Sequence, residues 1–138
     1  VLAADTVVCL ENTILGKPRA LAQARQMLEQ LSGRTHRACT GLVLMSHSRT
    51  LTHWEETAVT FYPLSREMID WYLSTGEPMD KAGSYGIQGK GALLVQRVEG
   101  DFYNVVGLPL APLARLFSEM GLPWAGEGGC GPLLDDPA

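Results

Sequence analysis

Positive charge is scarce in this chain of 138 residues: 11 Lys and Arg stand against 15 Asp and Glu, for a net charge of -4. A protein that grips a nucleic-acid backbone over a wide surface needs clustered Lys and Arg, so that class is excluded. A small phosphate ligand is not, because a few local cations or a metal suffice for it. Cysteine is also sparse. Cys9, Cys39 and Cys130 are odd in number and far apart, with no CxxC pair and no Cys/His cluster at zinc spacing. They read as reduced thiols of a cytoplasmic protein, with Cys9 and Cys39 inside strands. No apolar run approaches the length of a membrane span, and no basic leader is legible, so neither a membrane partner nor export is expected. The signatures GxxxxGK[ST], GxGxxG and GxSxG are missing as well, and no Ser-His-Asp arrangement can be read.

What is present describes a globular domain. Hydrophobic residues make up 46% and charged residues 19%, enough to bury a core without disulfide or metal staples. The chain opens directly on the apolar stretch Val1–Leu10 without Met. A strand this apolar is expected in mid-sheet, so Val1 reads as a cut point, with an N-terminal segment missing. Glu11-Asn12-Thr13 forms a hairpin turn returning through Ile14 and Leu15. Pro18 precedes a helix from about Ala20 to Leu31, with Gly33 after it as a cap. Residues 37–46 and 53–62 read as an antiparallel pair of strands. Ser65 caps a second helix with Met68, Ile69, Tyr72 and Leu73 inward, closed by Gly76 and Pro78. Strands are expected at 92–98 and 102–106, joined by a turn at 99–101, and a last helix at 110–120. Helices and strands alternate, yet several strand pairs look like hairpins. The expectation is an α/β fold with a mixed, twisted sheet flanked by helices. One domain is expected over residues 1–121, followed by a flexible tail over 122–138.

Three places draw attention as chemistry. Asp5 lies in an apolar strand, where an unpaired carboxylate costs several kcal/mol. It must meet a partner, a metal or the mouth of a cleft. Lys17, between Gly16 and Pro18, puts an ammonium on a short stiff loop. The segment Glu77–Gly91 is a long connection with four glycines between positions 83 and 91. Such glycines let a backbone come close to a ligand. Lys81 and Lys90 supply cations there, and Gln88 offers both a donor and an acceptor, as reading a base edge requires. His36, His47 and His53 show no spacing that builds a metal site and read as strand-end or surface histidines. Trp54, Trp71 and Tyr72 read as core or partly buried aromatics rather than stacking platforms.

Ala4-Asp5-Thr6-Val7-Val8, Leu15-Gly16-Lys17-Pro18, Leu31 to His36, Thr40-Gly41, Thr57 to Phe61, Gly76 to Gly89 and Gly100 to Leu110 together resemble the Maf family, in family order from Val1 to about Leu116. The resemblance implies a fold like that of inosine triphosphatase. It also implies a nucleotide pyrophosphatase that depends on a divalent metal, Mg²⁺ or Mn²⁺, and a cytoplasmic homodimer. By position, Asp5 matches the catalytic, metal-holding carboxylate, Lys17 a phosphate contact, and Thr6 and Gln88 positions of substrate choice. Lys81 is a weaker carry-over to substrate. Ser84-Tyr85-Gly86-Ile87-Gln88 looks like the subgroup favouring dTTP and UTP. The family's opening strand, its Ser- and Arg-rich phosphate loop and a further acidic residue have no counterpart here. Two other readings stand beside the pyrophosphatase: a catalytically inactive nucleotide-binding regulator of the same fold, linked to septum formation, and a structural module.

Overall fold

Five strands alternate with helical segments in the computed structural model, which describes residues 1–123: β1 (Leu2–Leu10), β2 (Thr13–Leu15), β3 (Thr35–Met45), β4 (Thr50–Phe61) and β5 (Val95–Glu99). They form one sheet in the order β2-β1-β3-β4-β5. Where a mixed sheet was expected, every pairing among the described residues is antiparallel. The reason is local: β1 to β2 and β3 to β4 are hairpins, and the helical excursions return each strand on the opposite sense. The register of β1 on β3 runs without a break from Leu2↔Leu44 to Cys9↔Arg37. β2 covers only Val8 to Leu10 of β1. Among the described residues, nothing pairs with the outer edge of Leu2–Val7.

Strand alternation sorts the residues onto two faces. Val8, Leu10, Val59 and Phe61 point to one side, where they pack with Ala24, Met27, Leu28 and Leu31 of α1 (Leu21–Leu31) and with Ile69, Tyr72 and Leu73 of α2 (Arg66–Ser74). Toward the other end of that same face, Leu42 and Leu44 meet Leu113 and Leu116 of α4 (Leu110–Met120). The opposite face is a polar ladder, with Arg37 3.2 Å from Glu56 and Thr35 Oγ 2.8 Å from Thr60 Oγ. Trp54 lies on it and is 56% exposed, at the outer limit of the core or partly buried aromatic expected. Its partner in register, Gly41, has no side chain to cover it. Trp71 is 39% exposed, whereas Tyr72, one position on, is fully buried.

Helix signals behave as expected where a cap is present. Ser65 Oγ accepts the Met68 N–H at 3.1 Å, and Gly76 ends the segment in a left-handed conformation. Residues 102–106 correct the expectation of a strand, because they form a short helix, α3 (Phe102–Val106). Asp101 caps it by accepting the Asn104 N–H at 3.2 Å, and Gly107 closes it. The cap overrides the β-prone composition of Phe-Tyr-Asn-Val-Val. Residues 92–94 likewise belong to a 3₁₀ turn, and β5 starts at Val95. The expected tail from 122 and Cys130 lie almost wholly outside the described residues.

Two buried polar side chains tie these layers together. The two Nδ2 protons of Asn104 are shared among the Ala38 carbonyl (3.0 Å), the Glu55 carbonyl (3.2 Å) and Thr57 Oγ (3.0 Å), pinning α3 across β3 and β4. His36 is 1% exposed rather than superficial. Its position opposite Val59 turns it onto the core side, edge-on to Phe61 and Tyr85, with Nε2 2.6 Å from Tyr85 Oη. Burial lowers its pKa from 6.5 to about 4.

Two tests follow from these contacts. Asn104→Ala removes the hydrogen bonds that tie α3 to the Ala38 and Glu55 carbonyls and to Thr57, and should cost about 2 kcal/mol in denaturant unfolding. His36 stays neutral in the folded chain, while the unfolded chain protonates near pH 6.5. Its stability contribution is therefore complete above pH 6.5 and is lost as pH falls toward about 4, by roughly 3 kcal/mol. Unfolding midpoints of the wild type and His36→Phe between pH 7 and pH 4.5 should diverge in slope; parallel curves would contradict the assignment.

Candidate functional site

A cleft of about 630 Å³ opens where the outer end of β1, the loop before α1, the glycine-rich segment and the end of α3 converge. That is an ordinary size for a small-molecule site. Its walls are mixed: Val8, Ala38, Tyr85, Ile87, Val105 and Val106 supply apolar surface beside several charged and polar side chains. Asp5, Thr6, Lys17, Lys81 and Gln88, which are far apart in sequence, all border it.

Each arrives differently. Asp5 is exposed, and its carboxylate has no hydrogen bond or ion pair among the described residues. Regular pairing runs through both Asp5 and Thr6, so their side chains leave the sheet on opposite faces. Asp5 therefore meets the cleft over the unpaired edge of β1, while Thr6 faces the helix side.

Thr6 is held by proton accounting. Its Oγ donates to the Gly107 carbonyl at 3.2 Å, an atom that can only accept. With that proton committed, the 2.9 Å contact between Thr6 Oγ and Thr40 Oγ has Thr40 as donor. Thr40 is fully buried, so an unused hydroxyl proton there would be costly. Thr6 thus offers the cleft a lone pair and no proton.

Lys17 sits on the turn between β2 and α1. Pro18 beside it is buried, and the Gly16 carbonyl accepts the Gly83 N–H at 3.1 Å. Gly83 (φ 71°) and Ser84 (φ 68°) are consecutive left-handed residues, and a side chain at Gly83 would come within 2.9 Å of Val8. This tight packing joins the lysine loop to the glycine-rich segment. The Lys17 ammonium has no ion pair among the described residues. Lys81 differs: its Nζ is 3.5 Å from Asp80 Oδ1, and it also stabilises the charged carboxylate of Glu77. Among the described residues that border the cleft, Lys17 is the cation without an ion pair. Gln88 is exposed and unengaged among the described residues, with its full amide available.

His47 and His53 do not border the cleft; His53 is instead paired with Glu55 at 2.7 Å. Among the described residues no group of three or more His, Cys, Asp or Glu is placed to hold a metal ion. Magnesium-like cations are commonly bound through one or two carboxylates, with water and phosphate oxygens completing the shell. Asp5, with both oxygens unengaged among the described residues, is a carboxylate at the cleft that could serve as one such donor.

Sequence reasoning missed Thr40, Gly107, Glu77 and Tyr72. Asp101 as a cap and Gly107 as a closing glycine were the local signals that could have marked a helix there, where a strand was expected. The others depend on register and packing.

The chain is similar to known proteins over most of its length. The family model described as "Maf-like protein" matches residues 1–120. The chain is 57% identical over 115 residues to the dTTP/UTP pyrophosphatase of Bacillus cytotoxicus, covering 83% of this chain and 60% of that protein. It is 52% identical over 123 residues to the dTTP/UTP pyrophosphatase of Symbiobacterium thermophilum, covering 89% and 63%. The Bacillus pumilus protein of that name is 50% identical over 122 residues, covering 88% and 65%. The chain thus spans less than two thirds of the length of these relatives. No helix among the described residues is long and apolar enough to cross a membrane.

Proposed function

The chain belongs to the Maf-like family, and from that premise we propose that it supplies most of the substrate cleft of a nucleoside triphosphate pyrophosphatase acting on dTTP and UTP. The observation that carries this reading is the meeting of Asp5, Thr6, Lys17, Lys81 and Gln88 at one cleft. The names of the similar proteins from Bacillus and Symbiobacterium favour the same substrates. A cytoplasmic setting is in keeping with Cys9 and Cys39 as free thiols.

In the proposed reaction, a water oxygen attacks the α-phosphorus, the bond from that phosphorus to the α–β bridging oxygen breaks, and pyrophosphate leaves. Asp5 is the general base that takes the water proton. Its lack of a competing partner among the described residues keeps both oxygens available. Lys17 draws the triphosphate to the β2–α1 turn and offsets its charge. Thr6, as an acceptor only, receives a hydrogen bond from water or from the nucleoside. Gln88 presents donor and acceptor together to a base edge. A divalent cation held by Asp5, when bound, would neutralise phosphate oxygens and make pyrophosphate a better leaving group.

Pyrophosphate release from dTTP and UTP in the presence of Mg²⁺ is the primary test. Asp5→Asn should lower kcat at least about 100-fold, and an unchanged rate would remove Asp5 from the chemistry. Lys17→Ala should weaken binding of inorganic triphosphate more than Lys81→Ala does, because Lys81 is already engaged by Asp80 and Glu77. Calorimetric titration at low salt that ranks the two the other way would reverse their roles.

A further inference from the structure

The stretch Gly86–Gly91 carries Gln88 to the cleft, yet with three glycines it has few side chains of its own to hold its shape. Two side chains from outside it do so. Tyr72 on α2 is fully buried, and its hydroxyl accepts the Gly86 N–H at 3.0 Å while donating to Glu77 Oε1 at 2.7 Å. Glu77 Oε1 also accepts the Gly91 N–H at 3.0 Å, and Oε2 accepts the Lys90 N–H at 3.0 Å. Three backbone donors from the two ends of the stretch therefore converge on one tyrosine and one carboxylate. Ile87 is pressed into the core between them, at 8% exposure, and Gln88 is left exposed beside the cleft.

The closeness of the approach explains the glycines. A Cβ at Gly89 would lie 2.4 Å from Glu77 Oε2. One at Gly91 would lie 2.3 Å from the Gly86 carbonyl oxygen and 2.7 Å from Tyr72 Oη. Only a bare backbone fits around the carboxylate. Partial burial opposes ionisation of Glu77. The hydrogen bonds from Tyr72, Gly91 and Lys90, with the charge of Lys81, more than offset this and hold its pKa below the usual carboxylate range. The clasp is thus a set of charge-assisted hydrogen bonds.

We propose that Glu77, braced by Tyr72, is a positioning residue that sets where Gln88 stands in the cleft and so governs substrate affinity. The kinetic readout of this inference rests on the pyrophosphatase reading; the geometric readout does not. Glu77→Gln keeps size and shape but turns an amide N–H₂ toward at least one of the donors that the carboxylate now accepts. The KM for dTTP should rise about tenfold with kcat within about twofold. Gln88→Ala should raise KM by a similar factor. The double variant should be little worse than either single one, since both remove the same placement. Tyr72→Phe, which frees the Gly86 N–H, should shift KM in the same direction and serves if Glu77→Gln does not fold. An unchanged KM, or losses that multiply in the double variant, would overturn the proposal while leaving the pyrophosphatase reading intact.

Amide hydrogen exchange at Gly86, Lys90 and Gly91 tests the clasp without substrate. Protection should fall in Glu77→Gln relative to neighbouring amides, and unchanged protection would overturn the proposal even if the wild type releases no pyrophosphate. That last result, with protection lost as expected, would count against the pyrophosphatase reading alone.

Discussion

The unbroken register of β1 on β3 is the constraint on which the site depends. From Leu2↔Leu44 to Cys9↔Arg37 each residue of β1 has a fixed opposite number. A slip of one residue would turn Val8 and Leu10 away from α1 and α2 and bring Val7 and Cys9 inward. It would also take Thr6 off Thr40 and Gly107. The apolar contacts of Val8 and Leu10 thus specify the register, and the register in turn orients the Thr6 hydroxyl. Asn104 reinforces the arrangement from the far side, binding the Ala38 and Glu55 carbonyls, so the helix end that carries Gly107 cannot drift from the strands that carry Thr40. The chemistry at one wall of the cleft is therefore a consequence of core packing some residues away.

The opposite wall is built on another principle. The glycine-rich segment is not part of the sheet and is built from three short 3₁₀ turns. Its order comes from polar anchors: Gly83 on the Gly16 carbonyl, and Gly86, Lys90 and Gly91 on Tyr72 and Glu77. Those anchors need close backbone approach, which is why glycine recurs there. A rigid wall made by strand register and a second wall made by side-chain clasps meet along the cleft.

This division also accounts for how much could be read from sequence. Strands β1, β3 and β4 and helices α1, α2 and α4 follow from period and caps, because those signals are local. The helix at Phe102–Val106 was hidden by its β-prone residues and betrayed only by Asp101. His36 looked superficial because nothing in its neighbours reveals that it sits opposite Val59 on the core side of β3. Asp5, Thr6, Lys17, Lys81 and Gln88 could be named from the family resemblance, and the fold does bring them to one cleft. Thr40 and Glu77 lie in segments that carry the resemblance and Tyr72 was expected to face inward, but what each touches was not legible, since a threonine in a strand and a glutamate after a helix carry no mark of their partners. Their roles exist only once residues 34 positions apart, or 14, have been folded together.

The cleft is chemically polarised, and the polarity follows from these same contacts. At the β2–α1 turn stands a lysine with no counter-ion among the described residues; at the β1–α3 wall stands a threonine able only to accept. An anion gains at the first and is repelled by the lone pair of the second. A group bearing O–H or N–H gains at the second and nothing at the first. A ligand with a phosphate end and a hydroxyl- or imide-bearing end can satisfy both at once, in one orientation. A ligand that is anionic throughout cannot. The net charge of -4 is spread over the whole chain and does not alter this local contrast between an unpaired lysine and an acceptor-only threonine.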